Sequence, residues 1–169
     1  MADYTTQIMS DTNKNTVIKF TGELDATGET ANAKIIGRNL RGALATDSNN
    51  AVLVSKGGTP RTNYRYTIER ITYDVNIPNG YLKVSWDGGT PCTCVLLSGS
   101  GDLDINDNMG SMINSATNPN GNVTFTTVNA TNNTSYTVLF ELRKNNLDYD
   151  AGQVAKPSDF NFGKYGIKP

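Results

Sequence analysis

Histidine is absent from the 169 residues, and cysteine occurs only twice, as Cys92 and Cys94. Without an imidazole no Ser-His-Asp or Cys-His relay can be built, which excludes the usual nucleophilic hydrolases. Two thiols supply half of a zinc-type site, and no histidine or second cysteine pair completes it. Cys92 and Cys94 lie two apart on one face of an extended segment, too far apart for ordinary disulfide geometry. They read as structural thiols, each behaving as a small hydrophobe. Charge is sparse at 18%, and the 15 basic and 16 acidic residues are interspersed. That leaves no basic stripe to neutralise a phosphate backbone, so nucleic acid is not an expected partner. No apolar run approaches the length of a membrane span, so no membrane partner is expected either. Glycine-rich phosphate cradles between a strand and a helix are also missing, and no cofactor is implied.

What remains is a chain rich in Asn, Thr, Gly and Ser with a hydrophobic fraction of only 37%. Asn and Gly weaken helix interiors while Thr suits a pleated surface, so this mixture favours short strands joined by many turns. The length fits one domain with a core of its own. The opening MADYTTQIMSDTNKN has neither the basic start nor the apolar centre of a secretory signal, which leads to the expectation of a protein made and folded in a cytoplasm.

Apolar residues recur at every second position through Tyr64 to Gly99, predicting three strands and two turns. Tyr64, Tyr66 and Ile68 share one parity, and Ile71, Tyr73, Val75 and Ile77 share the other. A β-bulge at Glu69-Arg70 would keep both halves on one core. Pro78-Asn79-Gly80 is expected to close a hairpin, because Pro presets φ and Asn-Gly tolerates positive φ. Leu82, Val84 and Trp86 then share a face, Asp87-Gly88-Gly89 is expected to turn, and Thr93 to Leu97 reads as a central strand buried on both sides. Further strands are expected at Thr16 to Thr21, Ala31 to Ile36, Ala51 to Ser55, Val123 to Val128 and Ser135 to Lys144, with a helical turn at Asn39 to Leu44. Residues Ser98 to Asn122 read as a long loop. The expected fold is all-β: an antiparallel β-sandwich, jelly-roll-like or Greek-key. A polar arm covers residues 1–15, the sandwich 16–144 and a C-terminal extension 145–169.

Several constellations invite a chemical reading and have a plainer one. The run Asp102-Leu103-Asp104-Ile105-Asn106-Asp107 begins like a calcium loop, but the turn glycine is replaced by Asp107 and the last ligand position falls on Ile113. A solvated acidic turn is the simpler reading. Glu23, Asp25 and Glu29 imitate the carboxylate pair of a glycosidase, yet such pairs normally face each other from separate strands, so a charged loop is the default. The acceptor patterns beginning at Asn122, Asn129, Asn132 and Asn133 arise readily by chance in a chain this rich in Asn and Thr. Trp86 shares parity with Leu82 and Val84, which makes it core and not a platform for a sugar ring. Beyond Lys144 the apolar residues are isolated. A tail of this kind packs back on its own domain or equally lies across a neighbour; on the second reading Tyr149, Phe160, Phe162, Tyr165 and Ile167 are candidate anchors on a partner surface, where spaced aromatics give contact area without a core of their own.

Taken in order, VIKFTGELDATGE, IERITYDVN with LKVSWDGG, VLLSGSGDLD and YTVLFELRK cover most of Thr16 to Lys144. Their sequence resembles a group of small virion proteins of tailed bacteriophages, notably phages of cyanobacteria and other marine bacteria. In that group a strand ending in a TGE-type loop precedes I-x-x-I-x-[WY], V-x-[LV]-x-W-D, L-x-G-x-G-x-x-D and Y-x-[IV]-x-[LF]-x-L-R-K segments. Here Tyr73 stands where tryptophan is also found, and the tail beyond Lys144 is longer. The resemblance implies a non-enzymatic structural protein of the virion: a capsid decoration, or cement, protein that binds the major capsid protein and copies of itself. A neck or tail component is the alternative within that class. A carbohydrate-binding β-sandwich module that recognises a host surface is the alternative outside it.

Overall fold

Strand β2, Asn15–Leu24, alternates buried and exposed residues almost without a break, with Ile18, Phe20 and Leu24 turned inward. That period of two is what a strand with one covered face requires. The computed structural model describes residues 3–46, 58–105 and 112–150, and the backbone alone at 53–54. Over these residues the chain forms β1 Asp3–Asp11, β2, β3 Asn32–Ile36, a 3-10 turn at Gly37–Asn39, β4 Ala45–Thr46, β5 Leu53–Val54, β6 Thr59–Pro60, β7 Tyr66–Asn76, β8 Tyr81–Thr90, β9 Cys92–Leu97, β10 Gly99–Asp104, β11 Thr117–Val128 and β12 Thr134–Lys144. A five-stranded sheet in the order β1-β2-β12-β7-β10 faces a four-stranded sheet in the order β3-β11-β8-β9, and β5-β4-β6 form a small third sheet. Every ladder is antiparallel. The fold is the all-β antiparallel sandwich that the alternating pattern predicts.

The bulge falls where the parity changes. Arg70 pairs with Glu141 and Ile68 with Leu142, leaving Glu69 as the extra residue. Ile68 and Ile71 on either side of it are both fully buried, so the bulge keeps the two halves of β7 on one core.

The turn after β7 behaves differently from expectation. Asn79 does adopt a positive φ of 57°, and the Gly80 amide bonds the Ile77 carbonyl at 3.0 Å. Yet β7 and β8 belong to opposite sheets, so Pro78-Asn79-Gly80 is a corner and not a hairpin. The pairing of β8 with β9 continues as the pairing of β7 with β10: Leu82 faces Leu97, and beyond the corner Val75 faces Gly99. These four segments are one two-stranded ribbon folded across the sandwich, with the Ser98 hydroxyl bonding the Gly80 carbonyl at the fold line.

Other boundaries shift as well. Asp87-Gly88-Gly89 stays within β8, where Gly88 pairs with Pro119 of β11. β9 is an edge strand rather than a central one, and Leu96 on it is exposed. The long loop expected over Ser98 to Asn122 contains β10 and the first half of β11. The N-terminal arm is a strand paired with β2 along most of its length, from Asp3 opposite Glu23 to Asp11 opposite Thr16. Thr21-Gly22-Glu23 lies inside β2 and not in a loop. Gly22 faces the ring of Tyr136 so closely that a Cβ there would overlap it.

The core is an aromatic and branched-chain layer between the two large sheets. Phe20 lies edge-on to Phe125 and Phe140 at 5.5 and 6.1 Å between centroids, and Tyr66 tilts against Trp86 at 5.4 Å. Trp86 is only 1% exposed, as its parity predicts. β12 ends at Lys144, and the chain packs on beyond it. Asn145 donates its amide to Arg65, and Tyr149 is fully buried, its hydroxyl on the Gly37 carbonyl at 2.9 Å.

Trp86→Ala is expected to cost about 3–5 kcal/mol in chemical denaturation, the usual range for emptying a large buried aromatic site. A loss of a few tenths would contradict its burial. A chain ended at Lys144 is expected to be less stable than one ended at Asp150 by at least about 3 kcal/mol, because only the second keeps Tyr149; equal midpoints would refute this.

Candidate functional site

At one end of the sandwich the β1–β2 turn, the approach to β7, the segment after Met112 and the end of β12 converge on a groove of about 1010 Å³. Six asparagines line it, Asn13, Asn15, Asn63, Asn114, Asn145 and Asn146, with Tyr66, Thr67, Ile113 and Pro119 between them. Its charged lining is entirely cationic: Lys14, Arg65, Arg143 and Lys144. Turn chemistry explains the asparagines, since their short amides replace backbone partners where strands end. Asn145 is an example, its Oδ1 accepting the Leu147 amide at 2.9 Å.

Three of the four cations are held by carboxylates from other parts of the chain. Arg65 grips Asp148 through Nε at 2.6 Å and Nη2 at 3.1 Å, Arg61 bonds the same carboxylate, and the Arg65 amide also reaches it. Asp148 is completely buried. Arg143 pairs with Glu69, the bulge residue, at 3.0 Å. Lys144 Nζ bonds Asp11 at 2.5 Å and the carbonyls of Thr12 and Arg41 at 2.6 Å each. Burial pulls Lys144 below the ordinary lysine value against the pull of Asp11. Burial raises Asp11, but the bonds from Lys144, the Arg41 amide and Thr16 outweigh it and hold the carboxyl below its usual value.

A second polar cluster sits inside the sandwich. Lys34 on β3 pairs with Glu29 at 2.7 Å with both side chains essentially buried, and the Tyr136 hydroxyl donates to both Glu29 oxygens at 3.1 and 3.2 Å. Tyr4 of β1 lays its ring 3.3 Å from Lys34 Nζ, closing the cluster from the edge. Burial lowers the Lys34 pKa and raises that of Tyr136. Glu29, in the loop between β2 and β3, is therefore a buried structural anion and not a solvated loop charge.

The other residues singled out from sequence are mostly spent on structure. Asp102 is bound by the Arg70 guanidinium across the β7–β10 ladder, with Nε at 2.9 Å. Asp107 lies outside the described residues. Cys92 and Cys94 are both free and half-buried. Burial pushes the Cys94 thiol up to about 12, so it stays protonated at neutral pH. Tyr149 is buried in its own core, which at this residue is the reading of a tail packed back on its domain and not that of an interface anchor. Phe160, Phe162, Tyr165 and Ile167 lie outside the described residues. Among the described residues no group of three His, Cys, Asp or Glu side chains is placed to hold a metal ion, and no helix is long and apolar enough to cross a membrane.

Sequence reasoning missed the groove. Its asparagines are scattered from Asn13 to Asn146 and meet only because β12 returns beside β2 and β7. The run Lys144-Asn145-Asn146 was the local signal, a strand ending in turn chemistry beside a cation.

No family model, no curated protein and no solved structure matches the chain.

The depressed Asp11 value fixes the sign of a pH effect. Its contribution is fully present above the unfolded aspartate value of about 3.9 and is lost as pH falls through the lower folded value. Asp11→Asn is expected to unfold at lower denaturant than the parent at pH 6, with the gap narrowing below pH 3. A gap independent of pH would show that the carboxylate charge does not matter.

Proposed function

We propose that the chain is a non-enzymatic structural protein of a bacteriophage virion, a decoration protein that binds the outer surface of the shell through the major capsid protein and copies of itself. A position in the neck or tail is the alternative. The order of strand motifs from Val17 to Lys144 supports this reading, and one feature of the fold carries it. β1 is the end strand of its sheet, paired on one side only among the described residues. Its pairing places Ile8 opposite Ile18 and Thr6 opposite Phe20, so these residues face the core side, yet Ile8 is 58% exposed. Met9, the bulge residue beside it, is 55% exposed. An unpaired edge next to uncovered apolar side chains accepts a strand from a neighbour, with backbone bonds supplying affinity. Repeated over a symmetric shell, many such modest contacts gain from multivalency.

The version of a carbohydrate-binding module that stacks sugars on aromatics loses its platform, because Trp86 lies in the core against Tyr66.

A reconstruction of the intact particle tests the proposal. Density for this chain repeating with the capsomer lattice is expected, and density at a single vertex would select the neck or tail. Ile8→Lys, a change at an exposed side chain, is expected to keep the melting temperature and lower occupancy on particles. Absence of the chain from purified virions would overturn the reading.

A further inference from the structure

The free edge of β1 is complementary to itself. Tyr4, Thr6 and Ile8 pair with Gly22, Phe20 and Ile18, so all three side chains take the core side of the sheet. Tyr4 is 45% exposed and Ile8 58%, and they lie two residues either side of Thr6. A two-fold axis through Thr6, perpendicular to the sheet, sets a second β1 antiparallel to the first with Tyr4 opposite Ile8, Thr5 opposite Gln7 and Thr6 opposite itself. Directly opposed residues of antiparallel strands share a face, so each tyrosine ring meets the other copy's isoleucine. The symmetry makes this aromatic and β-branched contact twice, and both halves cover apolar surface that one chain leaves in water.

Charge and the bulge select that register from its neighbours. Centring the axis on Gln7 sets Asp3 against Asp11 in both halves, and like charges directly opposite destabilise a ladder. Centring it on Thr5 leaves Ile8 opposite no residue of β1, and centring it on Ile8 leaves Tyr4 unmatched and runs through the bulge at Met9. With the axis at Thr6, Asp3 faces Met9, and the ladder is the uncharged run from Tyr4 to Ile8 that is in regular register with β2. One anchor is also ordered in advance. The Tyr4 ring lies 3.3 Å from Lys34 Nζ, which Glu29 holds inside the sandwich at 2.7 Å, and a ring already fixed loses less freedom on association. We propose that two copies of the chain join by antiparallel pairing of their β1 strands about Thr6, running their five-stranded sheets together as one. This rests on the reading that the β1 edge takes a strand from a neighbour, and it names the neighbour and the register.

Cysteine crosslinking and sedimentation equilibrium on the full chain test it. Directly opposed residues fall within disulfide reach, whereas residues diagonal across the ladder are about 7–8 Å apart and do not. Under mild oxidation Thr6→Cys is expected to give a dimer whose disulfide maps to the two substituted positions, with the parent, which keeps Cys92 and Cys94, as the background. Thr5→Cys and Gln7→Cys are each expected to give no such link alone and to link to one another when mixed. The parent is expected to approach twice the mass of one chain as its concentration rises, and Ile8→Lys to weaken that association at least about tenfold with the melting temperature kept. A chain ended at Asp150 is expected to dimerise like the full chain; loss of the dimer on that truncation would overturn the proposal by assigning the edge to residues 151–169. A link through Gln7→Cys alone, or association undiminished by Ile8→Lys, would overturn it as well. A parent that stays monomeric at every concentration while Ile8→Lys still lowers occupancy on particles would give the edge to another protein, ending the proposed pair and leaving the virion reading intact.

Discussion

Strand β12 lies between β2 and β7, and that double pairing closes the molecule. It brings Thr134 to Lys144 beside Asn15 to Leu24, more than a hundred residues apart in sequence, over a continuous ladder from Thr134 opposite Leu24 to Arg143 opposite Asn15. The inward residues of β12, Tyr136, Val138, Phe140 and Leu142, form the middle of the core. Without this strand β2 and β1 would have no connection to the β7–β10 pair within their sheet. Pairings of such sequence separation carry a large loop-closure cost, so a fold of this kind forms slowly and late contacts complete it.

Both ends of β12 also hold buried charge. At one end Tyr136 delivers its hydroxyl to Glu29, which in turn neutralises Lys34. At the other, Lys144 ties the β1–β2 turn and the segment after Gly37 together through Asp11, Thr12 and Arg41. Removing a charge from water is expensive, and an apolar replacement of a whole buried pair is often as stable. What these clusters supply instead is register. A one-residue slip of β12 against β2 would carry Lys144 away from three oxygens and Tyr136 away from Glu29, and it would turn every apolar side chain outward.

Much of this was legible in the alternation of side chains. The parity change between Ile68 and Ile71 located the bulge at Glu69, and the shared parity of Leu82, Val84 and Trp86 located a buried face. Alternation reports which face of a strand is covered; it does not report which strand lies alongside. Hence Pro78-Asn79-Gly80, a good hairpin turn by composition, serves as a corner between sheets, and β9, apolar enough for a central strand, lies at an edge. The same limit hid the polar sites. Glu29 reads as one of three acids in a loop until β3 and β12 place Lys34 and Tyr136 against it, and the groove asparagines come from four separate segments. Tyr149 read as a loose aromatic because the pocket that receives it, between Tyr64 and the Gly37 carbonyl, is assembled from distant chain.

The edges of the two large sheets differ in a way that bears on assembly. Exposed edges are usually blunted by charge, by shortness, by bulges or by inward-pointing cations. β10 is short and carries Asp102 and Asp104; β9 is short and irregular in its pairing; β3 has five residues and turns Lys34 inward. β1 is longer than any of them at nine residues, and from Tyr4 to Ser10 it contains neither a charge nor a proline. Its bulge at Met9 affects only its far end, leaving Tyr4 to Ile8 in regular register with β2. Among the described residues three of the four edges are blunted and the longest is not. This asymmetry supports the proposal that β1 pairs with another chain, in which Ile8 would supply apolar contact beside the backbone groups that a partner strand meets.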